Sequence, residues 1–198
     1  MKITNQKEFF NKSYKKWAEN IPEERMNIAK KTVKLLGISK NDSVIDVAAG
    51  TGILYSILRG KELKNYVAVD ISEKMLEELK KIFPEVQTRC LDFDKKVEFD
   101  EKFDYVIIFN SIPHFENMDV VFKNAKELLN EGGCFSIIHA RTREGLKKHH
   151  RKIGYNHGRE PIPSNTNLNE LSRKYNFKYV VIKDEEFFYF SCVKNNEL

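Results

Sequence analysis

The sequence predicts an α/β fold: a seven-stranded, mainly parallel sheet with an antiparallel last strand and helices on both faces. Three observations lead there. Short β-rich runs alternate with helical ones along most of the 198 residues, which implies βαβ units. The run Val106-Ile107-Ile108-Phe109 is apolar throughout, as a strand buried on both faces must be. The last two strand-like runs, FKYVVIKD (177–184) and EFFYFSCVK (186–194), have almost nothing between them and can pair only as an antiparallel hairpin.

The elements follow in order. Residues 8–37 read as helical, with Ile28, Ala29, Val33 and Leu36 at helix spacing and Gly37 as the stop. SVIDV (43–47) is a strand and ILYSILRG (53–60) a helix. YVAVD (66–70) is the second strand, followed by helix 72–83 with Ser72 as its N-cap. VQTRC (86–90) and FDYVIIF (103–109) are the third and fourth strands, and FKNAKELLNEGG (122–133) is a helix ending at glycine. CFSIIHA (134–140) is the fifth strand. A basic helical stretch, a loop rich in turn residues (158–167) and a helix over 167–175 precede the closing hairpin.

Composition places the chain among ordinary globular proteins, with 41% hydrophobic and 32% charged residues. The length fits one domain over 1–198, with residues 1–40 as an N-terminal helical cap on a core of 41–198. No apolar run reaches membrane-spanning length, and MKITNQKEFF lacks the apolar core of a signal peptide, so a cytoplasmic location is expected. Three scattered cysteines without a CxxC pair argue against a disulfide framework or a zinc ribbon. The net charge of +5 is dispersed along the chain, so it marks no nucleic-acid footprint.

The stretch SVIDVAAGTG carries the chemistry. Asp46 sits in an oily strand, and the small residues Ala48, Ala49, Gly50 and Gly52 follow it at the strand's carboxyl end. In an open parallel sheet that edge is where ligands bind. A phosphate loop needs GxxxxGK[ST], which is absent, and a dinucleotide turn needs a further glycine where Tyr55 stands. Both disfavour phosphate binding.

DVAAGTG resembles the first motif of the class I S-adenosylmethionine-dependent methyltransferases, with Ala48 where glycine is commoner. Further strand-end residues extend the likeness in the right order: Asp70 after the second strand, LDFD (91–94) after the third, Asn110 after the fourth, and LLNEGGCFSII beyond. The likeness spans roughly residues 40–140. It is similar to the ubiquinone/menaquinone-biosynthesis type acting on small molecules. It implies a Rossmann-like methyltransferase fold and S-adenosylmethionine as cofactor. Asp46, Ala48, Gly50 and Gly52 would form the cofactor turn, and Asp70 would hold the ribose hydroxyls. Ile71 would pack on adenine, Asp92 would meet its amino group with Phe93 flanking the ring, and Asn110 would contact the methionine portion.

The methyl of the sulfonium is already activated, so the protein mainly positions a nucleophile and excludes water. His114, in NSIPHF, is the candidate base, with helix capping as the competing account. NSIP departs from the [DN]PP[YF] motif of base and glutamine amino-methylating enzymes, which counts against a base amino group as acceptor.

Four of the five histidines fall between 139 and 157. His139 ends the fifth strand. On helix 143–152, His149 or His150 shares a face with Leu146 and Ile153 and points inward. A metal is not expected, because no HExxH or Cys/His spacing is present. Instead, His139 and His150, with Arg141 or Arg143, are candidates for reading an anionic group on a small-molecule substrate, against the alternative of a core histidine with solvated neighbours. The aromatic stripe of Phe9, Phe10, Tyr14 and Trp17 is either an active-site lid or an ordinary core face, with Tyr14 and Trp17 as its substrate-facing candidates. Two rival readings are methylation of RNA or protein, with KKHHRK gripping phosphates, and a catalytically silent cofactor-binding protein. Nucleic acid is the weaker partner because the basic run is short. The acceptor atom and the oligomeric state have no signature in the sequence.

Overall fold

The structure is a computed structural model that describes residues 5–18, 21–155 and 158–195. It has α1 (Gln6–Ala18), α2 (Glu23–Leu36), β1 (Ser43–Val47), α3 (Ile53–Leu58), β2 (Asn65–Asp70), α4 (Glu73–Ile82) and β3 (Gln87–Cys90). There follow β4 (Phe103–Phe109), a 3-10 turn at Ile112–His114, α5 (Met118–Leu128), β5 (Leu129–His139), α6 (Arg143–Lys152), α7 (Asn165–Lys174), β6 (Phe177–Asp184) and β7 (Phe188–Lys194). The sheet order is β3-β2-β1-β4-β5-β7-β6. The first five strands run parallel, and β7 lies antiparallel between β5 and β6.

Side-chain alternation along the strands feeds two cores. Ile45, Val47, Val106 and Ile108 face α5, α6 and α7 through Phe122, Leu128, Leu146 and Leu168. Val44, Ala68 and Ile107 face α2, α3 and α4 through Ile28, Val33, Leu54 and Leu79. Both faces are thus covered, as a parallel sheet requires.

Two expected boundaries shift. The continuous N-terminal helix is two helices: α2 restarts after Pro22, whose φ of −55° and ψ of 137° suit the residue before a helix but not its interior. The helix expected at 122–133 instead spans 118–128, capped by the Asn117 side chain, which accepts the Val120 N–H. Its supposed glycine stop belongs to β5. Leu129 already pairs with Phe103, and a bulge follows. A Cβ on Gly133 would lie 2.9 Å from the Asn130 carbonyl oxygen, so a strand packed this closely admits only glycine there. Gly37 and Ser72 cap helices as expected.

The two N-terminal helices differ in kind. α2 is built into the core, whereas α1 has no buried residue and lies across α4 and the carboxyl edge of the sheet. Polar contacts hold α1 there. The Ser72 hydroxyl donates to Asn11 Oδ1 at 2.6 Å, Lys7 pairs with Glu73 at 2.5 Å, and the Gln6 amide donates to the His114 carbonyl. Among the described residues no helix is long and apolar enough to cross a membrane.

Candidate active site

A cavity of about 790 Å³ opens at the carboxyl edge of β1, β2, β3 and β4, with α1 along one side. Parallel strands with right-handed crossovers leave a crevice where the strand order reverses, here between β1 and β4. The turn after β1 forms its floor. Ala48 takes φ 58°, a left-handed conformation that costs a non-glycine residue about 1 kcal/mol, and the turn keeps it.

Asp70, at the end of β2, is 7% exposed and reaches across to that turn. Its Oδ2 accepts the Gly50 N–H at 2.8 Å and its Oδ1 the Ser72 N–H at 2.9 Å. Burial raises its pKa to about 6 against the pull of these amides. Beside it Ile71, Leu91 and Phe93 supply apolar wall, and Asp92 stands at the rim, 3.3 Å from Lys95 Nζ. On the other side Asn110 directly follows β4, at φ 59°. Its Oδ1 accepts the Ala140 N–H at 2.7 Å, which orients the amide and leaves Nδ2 buried without a hydrogen-bond acceptor among the described residues. A buried donor in that condition is a place for a ligand oxygen. His114 follows on the 3-10 turn, lines the cavity and meets Phe10 of α1 edge-on at 4.9 Å. Trp17 closes the same side, its backbone carbonyl accepting the Thr51 hydroxyl at 3.3 Å.

Of the residues singled out in the sequence, Ala48, Gly50, Asp70, Ile71, Asp92, Phe93, Asn110, His114 and Trp17 line this one cavity. Others stand behind it or elsewhere. Asp46 lies beneath the floor, 1% exposed, accepting the Tyr66 hydroxyl at 2.5 Å. Burial raises its pKa to about 7. Gly52 starts α3 at φ 91°, where a Cβ would press on Leu79 at 3.1 Å, so it serves helix packing. Tyr14 lies on the α1 side that acts on Lys74 and Lys81 of α4, away from the cavity. Arg143 is taken up by Asp184 at 3.2 Å, by the Pro163 carbonyl and by the Phe188 ring. His139 is 6% exposed behind the wall, its Nδ1 accepting the Arg141 N–H at 3.0 Å, and burial lowers its pKa to about 3. His150 packs edge-on against Tyr155 at 5.1 Å. His157 lies outside the described residues.

Residues 45–135 match the family model described as a methyltransferase domain. That segment, a little under half of the chain, is thus similar to a methyltransferase domain. The demethylmenaquinone methyltransferase of Chlorobaculum tepidum is 29% identical over 115 residues, covering 58% of this chain and 47% of that protein. The ribosomal protein L11 methyltransferase of Staphylococcus aureus is 32% identical over 119 residues, covering 57% of this chain and 37% of that one. The chain therefore matches less than half the length of these curated relatives. The magnesium protoporphyrin IX methyltransferase of Synechocystis, solved with bound S-adenosylhomocysteine, superposes with a TM-score of 0.72 at 16% identity, covering 96% of this chain and 97% of that one. The chain thus shares the fold of that structure along nearly its whole length.

Sequence reasoning missed Arg25, which also lines the cavity. Its local sequence, PEERMN, is that of any exposed helix start, and only the packing of α2 brings it to the site.

Proposed function

We propose that this chain transfers the methyl group of S-adenosylmethionine to a small-molecule acceptor. The observation that carries the reading is the pairing, across one cavity, of the buried Asp70 carboxylate with the orphaned Asn110 amide donor. Asp70 keeps lone pairs for two ribose hydroxyls while its amide bonds fix its rotamer. Ile71, Leu91 and Phe93 offer an apolar slot for adenine, and Asp92 stands where an exocyclic amino group would donate. Asn110 Nδ2 donates to the amino-acid arm. The sulfonium supplies an electrophilic methyl, which passes to the acceptor's lone pair as the S–CH₃ bond breaks.

His114 takes the acceptor's proton if the acceptor carries one. It stands on the Asn110 side of the cavity, under Phe10, and so in a partly dehydrated place. In this reading α1 is the lid: none of its residues is fully buried, and it is held by polar contacts and the Phe10–His114 ring contact, so it can lift at little cost to the core.

The curated likeness to a demethylmenaquinone methyltransferase favours a small acceptor. A protein acceptor is the second reading, favoured by the likeness to a ribosomal protein L11 methyltransferase. Calorimetry with S-adenosylhomocysteine tests the cofactor: saturable one-to-one uptake is expected, and no uptake would overturn the reading. Radiolabel transfer from S-adenosylmethionine into small-molecule and protein fractions of a cell extract tests the acceptor. Label in the small-molecule fraction supports the first reading, and label confined to protein the second.

A further inference from the structure

The 3-10 segment at Ile112–His114 is a single turn with few hydrogen bonds of its own. The His114 N–H donates to the Ser111 carbonyl at 2.9 Å, and the Phe115 N–H to the Ile112 carbonyl at 3.2 Å. A stretch this short does not hold its geometry alone, and its trailing carbonyls need donors from elsewhere. Side chains from remote parts of the chain supply them. Arg159 Nη2 donates to the Pro113 carbonyl at 3.2 Å and also to the Phe115 carbonyl, so one nitrogen joins the residues on either side of His114. The Gln6 amide donates to the His114 carbonyl itself. Just beyond, the Asp94 carboxylate accepts the Glu116 N–H at 3.0 Å and the Asn117 N–H at 2.9 Å.

These three holds differ in what stands behind them. Gln6 belongs to α1 and is withdrawn whenever that helix lifts. Asp94 grips the chain only after Phe115. Arg159 lies on the connector between α6 and α7, which is fastened close by. Glu160 pairs with Lys147 of α6 at 2.6 Å, Ile162 is 1% exposed in the core, and the Pro163 carbonyl accepts Arg143 Nη2 at 2.6 Å. The Arg159 guanidinium thus works from an anchored segment. Arg159 itself stands outside the cavity lining, whereas His114 belongs to it.

We propose that Arg159 is a positioning residue for His114: by bridging the Pro113 and Phe115 carbonyls it fixes the backbone from which the imidazole projects, with α1 closed or lifted. The inference rests on the reading of His114 as the base. A misplacement of about 1 Å costs a reaction up to about a hundredfold, so a contact remote from any ligand still governs the chemistry. The signature is a lost rate with cofactor affinity kept.

The test is a double-mutant cycle on the full chain. Label transfer from methyl-labelled S-adenosylmethionine into a cell extract is timed for wild type, Arg159→Ala, His114→Ala and the double variant. Arg159→Ala should slow transfer at least about tenfold. Its S-adenosylhomocysteine affinity should stay within about threefold of wild type by calorimetry, which also shows that the variant folds. In the His114→Ala background the same substitution should add nothing. Arg159→Lys should recover most of the rate, because one nitrogen serves both carbonyls and an ammonium carries three donors. Hydrogen exchange reads the turn without any acceptor: in Arg159→Ala the His114 and Phe115 amides should exchange at least about tenfold faster, while those of β4 stay unchanged.

A wild-type rate in Arg159→Ala beside a slowed His114→Ala, or slowing by Arg159→Ala that persists in full without His114, would overturn the positioning role and leave the base standing. Exchange accelerated equally across β4 would make Arg159 a general prop of the fold and overturn that role as well. No transfer by the wild type, or an unchanged rate in His114→Ala, would instead fell the reading beneath it, and the positioning role with it.

Discussion

The two ends of the cavity solve opposite electrostatic problems by different means. At the β2–β3 end the charge is negative and already satisfied: Asp70 accepts two backbone amides from the turns on either side of it. On the side of α2 the charge is positive: Arg25 lines the cavity against the Trp17 ring and has no ion pair among the described residues. The first end is made by main chain and sits rigidly before any ligand arrives. The second is made by a side chain of α2, which depends on how that helix docks. A site of this kind keeps one half constant and leaves the other free to change with the acceptor.

The largest expected effect breaks the acidic end. Asp70→Ala removes the acceptor for the Gly50 and Ser72 amides together with the ribose contact, and S-adenosylhomocysteine affinity should fall roughly a hundredfold by calorimetry, since hydrogen bonds to a charged group contribute about 1.5–3 kcal/mol each. Wild-type affinity in Asp70→Ala would refute its role. Next, His114→Ala should lower turnover about a hundredfold while leaving that affinity nearly unchanged, because a base acts on the acceptor's proton and not on the nucleoside. An unchanged rate would remove it as the base.

A pH titration sharpens the contrast between the ends. Asp70 titrates at about 6 in the free protein, so S-adenosylhomocysteine affinity should decline as pH falls below that value, by at most about tenfold per unit. Asp70→Asn should abolish the decline. His139 at the other end, held down to about 3 by burial, stays neutral there and adds no step.

Stability carries the opposite sign. Asp46 binds its proton more tightly folded than unfolded, with a pKa raised to about 7 from 3.8. The stability this contributes is present in full below pH ~4 and is lost as pH rises through ~7. Asp46→Asn keeps a polar partner for Tyr66 without the buried charge, so it should raise stability at pH 8 by on the order of 1–2 kcal/mol and flatten the profile, read by thermal melts. The smallest effect is at the floor. Ala48→Gly should relieve the φ of 58° and stabilise the folded chain by about 0.5–1 kcal/mol, less whatever the added freedom of the unfolded glycine takes back. A destabilised Ala48→Gly would mean the turn is not strained.

Much of the acidic end was legible because it is local. A carboxylate at a strand's end, or a run of small residues before a helix, occupies consecutive positions, and the strand-to-turn geometry then dictates where it faces. Gly50, Asp70, Asp92 and Asn110 could be found in this way. Asp46 and Gly52 share the motif but lie under the floor, since side chains alternate along β1 and α3 must approach α4. Arg143 was legible as a cation but not as the partner of Asp184, which lies two elements further along the chain. Arg25 had no local signature at all.

By itself the sequence determined the order of strands and helices, the parallel sheet with its closing hairpin, and the small-residue turn with its strand-end acids, because hydrophobic period and backbone preference act over a few residues. The tertiary structure alone decided that α2 docks on the sheet so as to bring Arg25 to the cavity, and that α1 rests over His114 without entering the core. Those placements depend on how apolar faces far apart in the chain come together, and no window of neighbouring residues contains that information.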